Sequence, residues 1–272
     1  LGAISNRHDV NLQLETLDIM TELVTRAGSQ LIKWHERIQK VLLALLASER
    51  SAVRKRSMNA LSHLMICCSD ELFETTMSTL IQALVNIAPK SSEDAEARFV
   101  SNTKDCVTAK TVLQCLATVI RQTGHRSSKE QIEQTMTIIG NLCHISDDEL
   151  KECCIQAFEA YVRRCTIMIS DRLPDIINVC LTNIAHDPNY NYDEYDTDDE
   201  AMDMDGDDDA SDSAEDYSDD DDLSWKVRRA SAKCLEAIII SRTDLVNDFL
   251  VTVAPVLVSR FKEREESVKA DI

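Results

Sequence analysis

Turn-forming and aromatic residues are scarce in this sequence. Its 272 residues include only five Gly and four Pro, and aromatic residues make up 4%. With so little Gly and Pro there are few places for tight turns and hairpins, which argues against an all-β domain and favours long helices. The shortage of aromatic bulk argues against one thick globular core, whereas small aliphatic side chains suit helices packed closely in layers.

The common signatures of enzymes and membrane proteins are also missing. The sequence contains no GxxxxGK[ST] phosphate loop, no HExxH, no GxSxG and no kinase signature. Its six His are scattered, and the one Cys–His neighbour pair, Cys143–His144, lies at the end of an apolar helical pattern. The longest apolar run, Val41–Ala47, is too short to span a bilayer. We therefore predict no catalysis, no cofactor, no metal, no small-molecule substrate and no membrane partner.

Ten Cys raise the question of disulfides, but their context indicates reduced thiols. There is no signal peptide, no Asn-x-Ser/Thr sequon and no Cys-x-x-Cys pair. Two pairs, Cys67–Cys68 and Cys153–Cys154, are adjacent in sequence, which suits neither a bridge nor a zinc site. Most of the Cys fall inside apolar helical patterns. They are therefore predicted to be core residues of a cytoplasmic and nuclear protein.

Acidic charge is concentrated in one segment. The formal net charge is −19, and 18 acidic residues lie between Asp193 and Asp222. No Lys, Arg or His occurs from Asp187 to Trp225. The rest of the chain is thus close to neutral and has no broad basic face, which argues against nucleic-acid binding.

A sequence pattern repeats along the chain. An apolar residue, often followed by a basic one, is followed by apolar residues five, seven and eight positions later. The pattern starts at Val53, Leu150 and Val227, weaker copies start at Leu12 and Thr108, and Val268 begins a further, incomplete copy. The spacings are 41, 55, 42, 77 and 41 residues, and three of them match the ~40–47-residue period of HEAT and armadillo repeats. The two longer spacings contain insertions, a polar loop at 91–103 and the acidic segment.

Each pattern is interpreted as the second helix of an antiparallel pair. The predicted first helices, with apolar residues three and four apart, are Leu31–Ala47, Leu72–Ala88, Gln131–His144, Leu173–Ala185 and Leu245–Phe261. Neither helix of a pair buries its apolar stripe alone, whereas stacked pairs bury a continuous core. The fold class predicted is all-α, a HEAT/armadillo-like solenoid. HEAT repeats are predicted at 1–186 and 223–272, truncated at the C-terminus, and the chain is expected to be a piece of a longer solenoid.

The basic residue that follows the leading Val has two interpretations. The residues concerned are Arg54 and Arg228. Each either supports the turn and the packing between repeats, which is the common role of this residue in HEAT repeats, or contacts a partner. The first interpretation is favoured.

Residues 187–222 are predicted to be a disordered acidic loop within one repeat. The segment is too poor in apolar residues to offset the cost of ordering, and its like charges repel. It either solubilises a long apolar stack or attracts a basic partner through long-range steering. The candidate partner-binding residues are Asp216, Asp219, Asp220, Asp221 and Asp222.

Two further roles for the acidic loop remain open. Thr197, Ser213 and Ser218 each have an acidic residue three positions later, a pattern typical of sites for acid-directed kinases. Asp203-x-Asp205-Gly206 imitates part of an EF-hand loop, but Ala201 stands where the first ligand belongs, and flanking helices are missing. Calcium binding is therefore the weaker interpretation.

Several segments together resemble one family. They are Arg121-Gln-Thr-Gly-His-Arg126, Asp147-Asp-Glu-Leu-Lys-Glu-Cys-Cys-Ile-Gln-Ala-Phe158, Asp187-Pro-Asn-Tyr-Asn-Tyr-Asp193, Ser224-Trp-Lys-Val-Arg-Arg229 and Ser259-Arg-Phe-Lys-Glu-Arg-Glu-Glu266. Nearly the whole chain resembles the cullin-associated, neddylation-dissociated family, the substrate-receptor exchange factors of cullin–RING ubiquitin ligases. Residues 92–103 depart from the pattern as an insertion.

The resemblance implies a very long HEAT solenoid that wraps an unmodified cullin and its RING subunit. The N-terminal half of that family holds the cullin's C-terminal region and the RING protein, and this chain is expected to be part of that half. It implies a non-enzymatic role in the assembly of SCF-type ligases. Two alternatives remain: a nuclear transport receptor with an acidic cargo-binding loop, and an acidic histone chaperone or DNA mimic.

Overall fold

The computed structural model describes residues 9–89, 98–100, 103–186 and 223–272, and these form helices joined by turns. The described α-helices are α1 (Val10–Ala27), α2 (His35–Leu45), α3 (Ser51–Cys67), α4 (Asp70–Ile87), α5 (Lys104–Thr123), α6 (Lys129–Leu142), α7 (Asp148–Cys165), α8 (Leu173–Ile184), α9 (Ser224–Ser241), α10 (Val246–Thr252), α11 (Ala254–Ser259) and α12 (Glu266–Lys269). Within these ranges there is no strand, and the prediction of an all-α repeat fold is confirmed.

The helices form two layers. Each predicted second helix packs directly on the next, in the order α1, α3, α5, α7 and α9, and α12 continues the row against α9. These helices are called the inner layer. The first helices α2, α4, α6 and α8 pack mainly on their own partners and contact one another less extensively. Solenoids present extended concave surfaces, and we expect the inner layer, whose neighbouring helices contact most extensively, to form that side.

Polar N-caps define the starts of five of the twelve described α-helices. Ser69, Thr103 and Asp147 accept hydrogen bonds from backbone amides three residues later, at 3.3, 3.3 and 2.7 Å. At α6, Ser128 and Gln131 form a reciprocal capping box. Each cap satisfies an amide that has no partner inside the helix. This explains how a chain with so few Gly and Pro still divides into separate helices.

The boundaries of the first helices agree with the sequence prediction except at two places. The predicted helix Leu31–Ala47 opens as a 3₁₀ segment, Gly28–Trp34, before α2 begins. The predicted single helix Leu245–Phe261 is wrong: it is divided at Val253 into α10 and α11. Pro255 lies at the start of α11, where its missing N–H and its ring disfavour an uninterrupted helix.

The predicted polar loop at 91–103 is packed in the part that the structure describes. Phe99 is 4% exposed and joins the core. Arg98 forms an ion pair with Asp105 of α5 at 2.7 Å. Thr103 then caps α5. The end of this insertion is therefore anchored by one apolar and one ionic contact.

The predicted acidic loop, 187–222, lies outside the described residues, and the division at its boundaries stays a prediction. The helices on either side of it pack together, since α9 contacts both α7 and α8. The chain before and after the segment thus belongs to one stack. Among the described helices, none is both long and apolar enough to cross a membrane.

Candidate protein-binding groove on the inner layer

Charged side chains link three consecutive helices of the inner layer. Arg121 of α5 contacts Glu159 of α7 at 3.1 Å. Glu159 also accepts a hydrogen bond from Arg163, one turn along the same helix, at 2.8 Å. Arg163 in turn contacts Glu236 of α9 at 3.1 Å. The four residues Arg121, Glu159, Arg163 and Glu236 are called the charge ladder.

The charge ladder follows the repeat. Each Arg stands thirteen residues after a pattern start, Arg121 after Thr108 and Arg163 after Leu150. Glu159 and Glu236 stand nine residues after the starts of the next copies. The same repeat positions therefore make the same contact between successive helices. This regularity was available in the sequence, but the sequence prediction did not use it.

Beside the ladder lies a groove of about 450 Å³. It is lined by Arg121, Glu152, Gln156, Glu159, Trp225, Lys226, Arg229, Ala230 and Lys233. Its cations come mainly from α9 and its carboxylates from α7, so the two walls have opposite charge. Except for buried Ala230, the lining side chains are partly exposed. These nine residues are called the inner groove.

Glu152 is the inner-groove carboxylate that the charge ladder does not include. Burial raises its pKa above the usual range, and the nearby charges of Lys226 and Arg229 oppose that rise. Its carboxylate accepts a hydrogen bond from the Gln156 amide at 2.7 Å. Across the groove, the Lys226 ammonium lies 5.7 Å from the centroid of the Trp225 ring. The inner groove therefore combines charged side chains with a partly exposed Trp ring, a combination that is typical of protein-binding sites.

The site residues chosen from the sequence lie elsewhere. Asp216, Asp219, Asp220, Asp221 and Asp222, and the phosphorylation candidates Thr197, Ser213 and Ser218, all lie outside the described residues. Their roles stay predictions. The sequence did not predict the inner groove as a site, although residues 225, 226 and 229 belong to a segment that carries the family resemblance. The missing signal was their helical spacing, which places 226, 229 and 233 on one side of α9.

Arg54 and Arg228 make packing contacts, in agreement with the favoured interpretation. Arg54 donates hydrogen bonds to the carbonyl oxygens of Ser48 and Glu49 at 2.9 and 3.0 Å, which ties the turn before α3 to the helix. Arg228 is 4% exposed and pairs with buried Glu263 at 3.0 Å. Both guanidinium groups act inside the stack.

The ten Cys are free thiols, and nine of them are buried. Burial raises the pKa of Cys115 and of Cys153 to about 12, so neither thiol is an effective nucleophile near neutral pH. In the described part of the chain, no group of three or more His, Cys, Asp or Glu is arranged to hold a metal ion.

Comparison with known proteins shows which family this chain resembles. The chain is 42% identical over 272 residues to cullin-associated NEDD8-dissociated protein 1 of Drosophila melanogaster. It is 42% identical over 271 residues to protein 2 of that name from Mus musculus and 33% identical over 277 residues to protein 1 from Arabidopsis thaliana. All three matches cover 100% of this chain.

Over its whole length, this chain is similar to part of the cullin-associated NEDD8-dissociated proteins. The resemblance inferred from the sequence motifs is thereby confirmed. The matched part lies in the N-terminal region of those relatives. The chain spans only 20–21% of their length, about a fifth.

Other comparisons add little. No protein-family model matches this chain. Among solved structures, a designed armadillo repeat protein is 12% identical with a TM-score of 0.49, covering 99% of this chain and 94% of its own. An engineered protein is 14% identical with a TM-score of 0.46 over 99% of this chain and 90% of its own.

Proposed function

We propose that this chain is a non-enzymatic scaffold that binds an unmodified cullin together with its RING subunit and regulates ligase assembly and substrate-receptor exchange. The observation that carries this proposal is the similarity of the whole chain to proteins named as cullin-associated. Such a role requires no catalytic residue. It operates in the cytoplasm and the nucleus, where reduced buried thiols are stable.

The inner layer is the part of the fold that suits such a scaffold. Solenoids bind partners along extended concave surfaces. Here the inner layer presents the charge ladder and the inner groove over α5, α7 and α9. Most single substitutions on a spread-out interface cost little, and a few anchors cost more. Trp225 and Arg229 are the anchors proposed in this groove.

The proposal is tested with the purified chain and a purified cullin–RING pair, measured by calorimetry with and without the ubiquitin-like modifier attached to the cullin. We expect binding to the unmodified pair and weaker binding to the modified one. Trp225→Ala should weaken binding by about tenfold or more. The matched control is Trp34→Ala, because Trp34 lies in the 3₁₀ segment before α2 and is 50% exposed.

Failure of the chain to bind either form of the cullin–RING pair would refute the proposed function. Capture of a Ran-type GTPase from cell extract instead would favour the transport-receptor alternative. Strong histone binding that disappears on deleting 193–222 would favour the chaperone alternative.

A further inference from the structure

The α9 wall of the inner groove carries three cations on one side of the helix. Lys226, Arg229 and Lys233 are separated by three and four residues. At 1.5 Å of rise per residue, the row extends over about 10 Å of the helix axis. A row of this length can contact two or three acidic side chains of one extended or helical segment.

Within the described ranges, these cations are incompletely neutralised. Arg229 and Lys233 share one carboxylate, Asp271, at 2.6 and 3.6 Å. Lys226 forms no ion pair with any described residue, and its charge instead faces the ring of Trp225. Positive charge is therefore in excess along the α9 wall.

The opposite wall does not cancel this excess. Glu159 already accepts hydrogen bonds from Arg121 and Arg163, so its negative charge is paired within the ladder. Glu152 is the inner-groove carboxylate outside the ladder; it accepts a hydrogen bond from Gln156 and forms no ion pair with a described residue, although the charges of Lys226 and Arg229 lower its pKa while burial raises it. With respect to the described residues, the Lys226 ammonium is thus available to pair with a further carboxylate.

From this charge arrangement we infer that the inner groove binds an acidic segment of the protein partner, with its carboxylates on Lys226, Arg229 and Lys233 and its apolar part against Trp225. The inference rests on the proposed function, because it assigns a segment type to the scaffold's protein partner. A nucleic acid or an anionic lipid surface is a poorer fit, since both need a broad basic face and the cations here form a single row about 10 Å long.

The groove is tested first with a labelled hexaglutamate peptide, by fluorescence anisotropy at low salt on the full chain. Lys226→Glu should weaken peptide binding by about three- to tenfold. Glu152→Gln should strengthen it by about twofold, because it removes the repelling carboxylate. Lys40→Glu, the same charge change on an exposed residue of α2, should change it much less. Far-UV circular dichroism confirms that each variant is folded.

The partner is then tested directly in the complex with the cullin–RING pair. A carbodiimide joins a Lys ammonium and a carboxylate that are already in contact, and mass spectrometry identifies the joined peptides. We expect Lys226 or Lys233 joined to an Asp or Glu of the partner, and weaker complex formation by Lys226→Glu than by Lys40→Glu.

The outcomes separate the two claims. If no complex forms, the proposed function fails, and the hexaglutamate variants still decide the inference. If the complex forms, but Lys226→Glu and Glu152→Gln change neither the affinity for hexaglutamate nor that for the cullin–RING pair, the inference alone fails. If Lys226 is joined only to carboxylates of 193–222 of the same chain, the chain itself occupies the groove and the partner assignment is overturned.

Discussion

Two Gly of this chain are expected to respond in opposite ways when replaced by Ala. Gly124 follows α5, where a Cβ atom would lie 2.7 Å from Cβ of Arg164 and 3.2 Å from the sulfur of Cys165. Gly140 lies inside α6, where a Cβ atom would meet nothing within 4 Å. The two positions thus test close packing between repeats against helix propensity.

The clash at Gly124 cannot be relieved by rotating a side chain, because Cβ of Arg164 is fixed to the backbone of α7. The turn and α7 must move apart, and overpacking of this kind costs about 1–3 kcal/mol. Backbone strain plays no part, since φ at Gly124 is −54°. At Gly140 the only change is the replacement of Gly by Ala in a helix, which stabilises by about 0.5–1 kcal/mol.

Thermal unfolding followed by circular dichroism measures both effects. With about 2–4 °C of Tm per kcal/mol, Gly124→Ala should lower the Tm by about 2–12 °C, and Gly140→Ala should raise it by about 1–4 °C. The double variant should give the sum, because the two sites share no contact. Equal stabilisation by both substitutions would refute the close approach of the turn after α5 to α7.

Three further predictions follow from the described contacts and the sequence. Burial raises the pKa of Glu263, but hydrogen bonds from Arg260 and the Glu265 amide and the charge of Arg228 lower it, and the net pKa is below the usual range. The ionised Glu263 therefore stabilises the fold above about pH 4.3, and this stabilisation is lost as the pH falls through the folded pKa. Glu263→Gln should cost about 3 kcal/mol at neutral pH in urea unfolding, and a cost unchanged at pH 3 would contradict this. A thiol reagent should modify half-buried Cys67 first and the nine buried thiols only on unfolding; fast labelling of several thiols in the folded chain would show that burial is not protecting them. Replacing the Asp run at 219–222 and the acidic residues upstream of it by Asn or Ser should slow association with a cullin–RING pair by about tenfold or more at low salt, with a smaller change in off-rate; an unchanged on-rate would leave the segment as a solubilising insertion.

The repeat architecture could be predicted from the sequence because its determinants are local. Apolar residues three and four apart define each helix, and N-caps such as Ser128 define where a helix starts. The spacing of 41 and 42 residues between pattern starts then predicts that the second helix of each repeat stacks on the second helix of the next. The family resemblance was equally available, because it rests on short runs of residues.

The inner groove depended on contacts between residues far apart in the sequence. Arg163 and Glu236 are 73 positions apart, with the acidic segment between them, and the distance along the chain gives no sign that they meet. The packing of α12 against α9 decides that Arg229 and Lys233 share Asp271. It also decides that Lys226 pairs with no carboxylate of the described residues.

Sequence and tertiary structure thus decided different things about this protein. The sequence by itself determined most of the helices and their pairing, the burial of the Cys and the family that the chain resembles, because each follows from local pattern or composition. The tertiary structure decided which charges are paired within the stack and which remain available on the inner layer. Ion pairing depends on distances of a few ångströms between separate helices, and only the packed solenoid sets those distances.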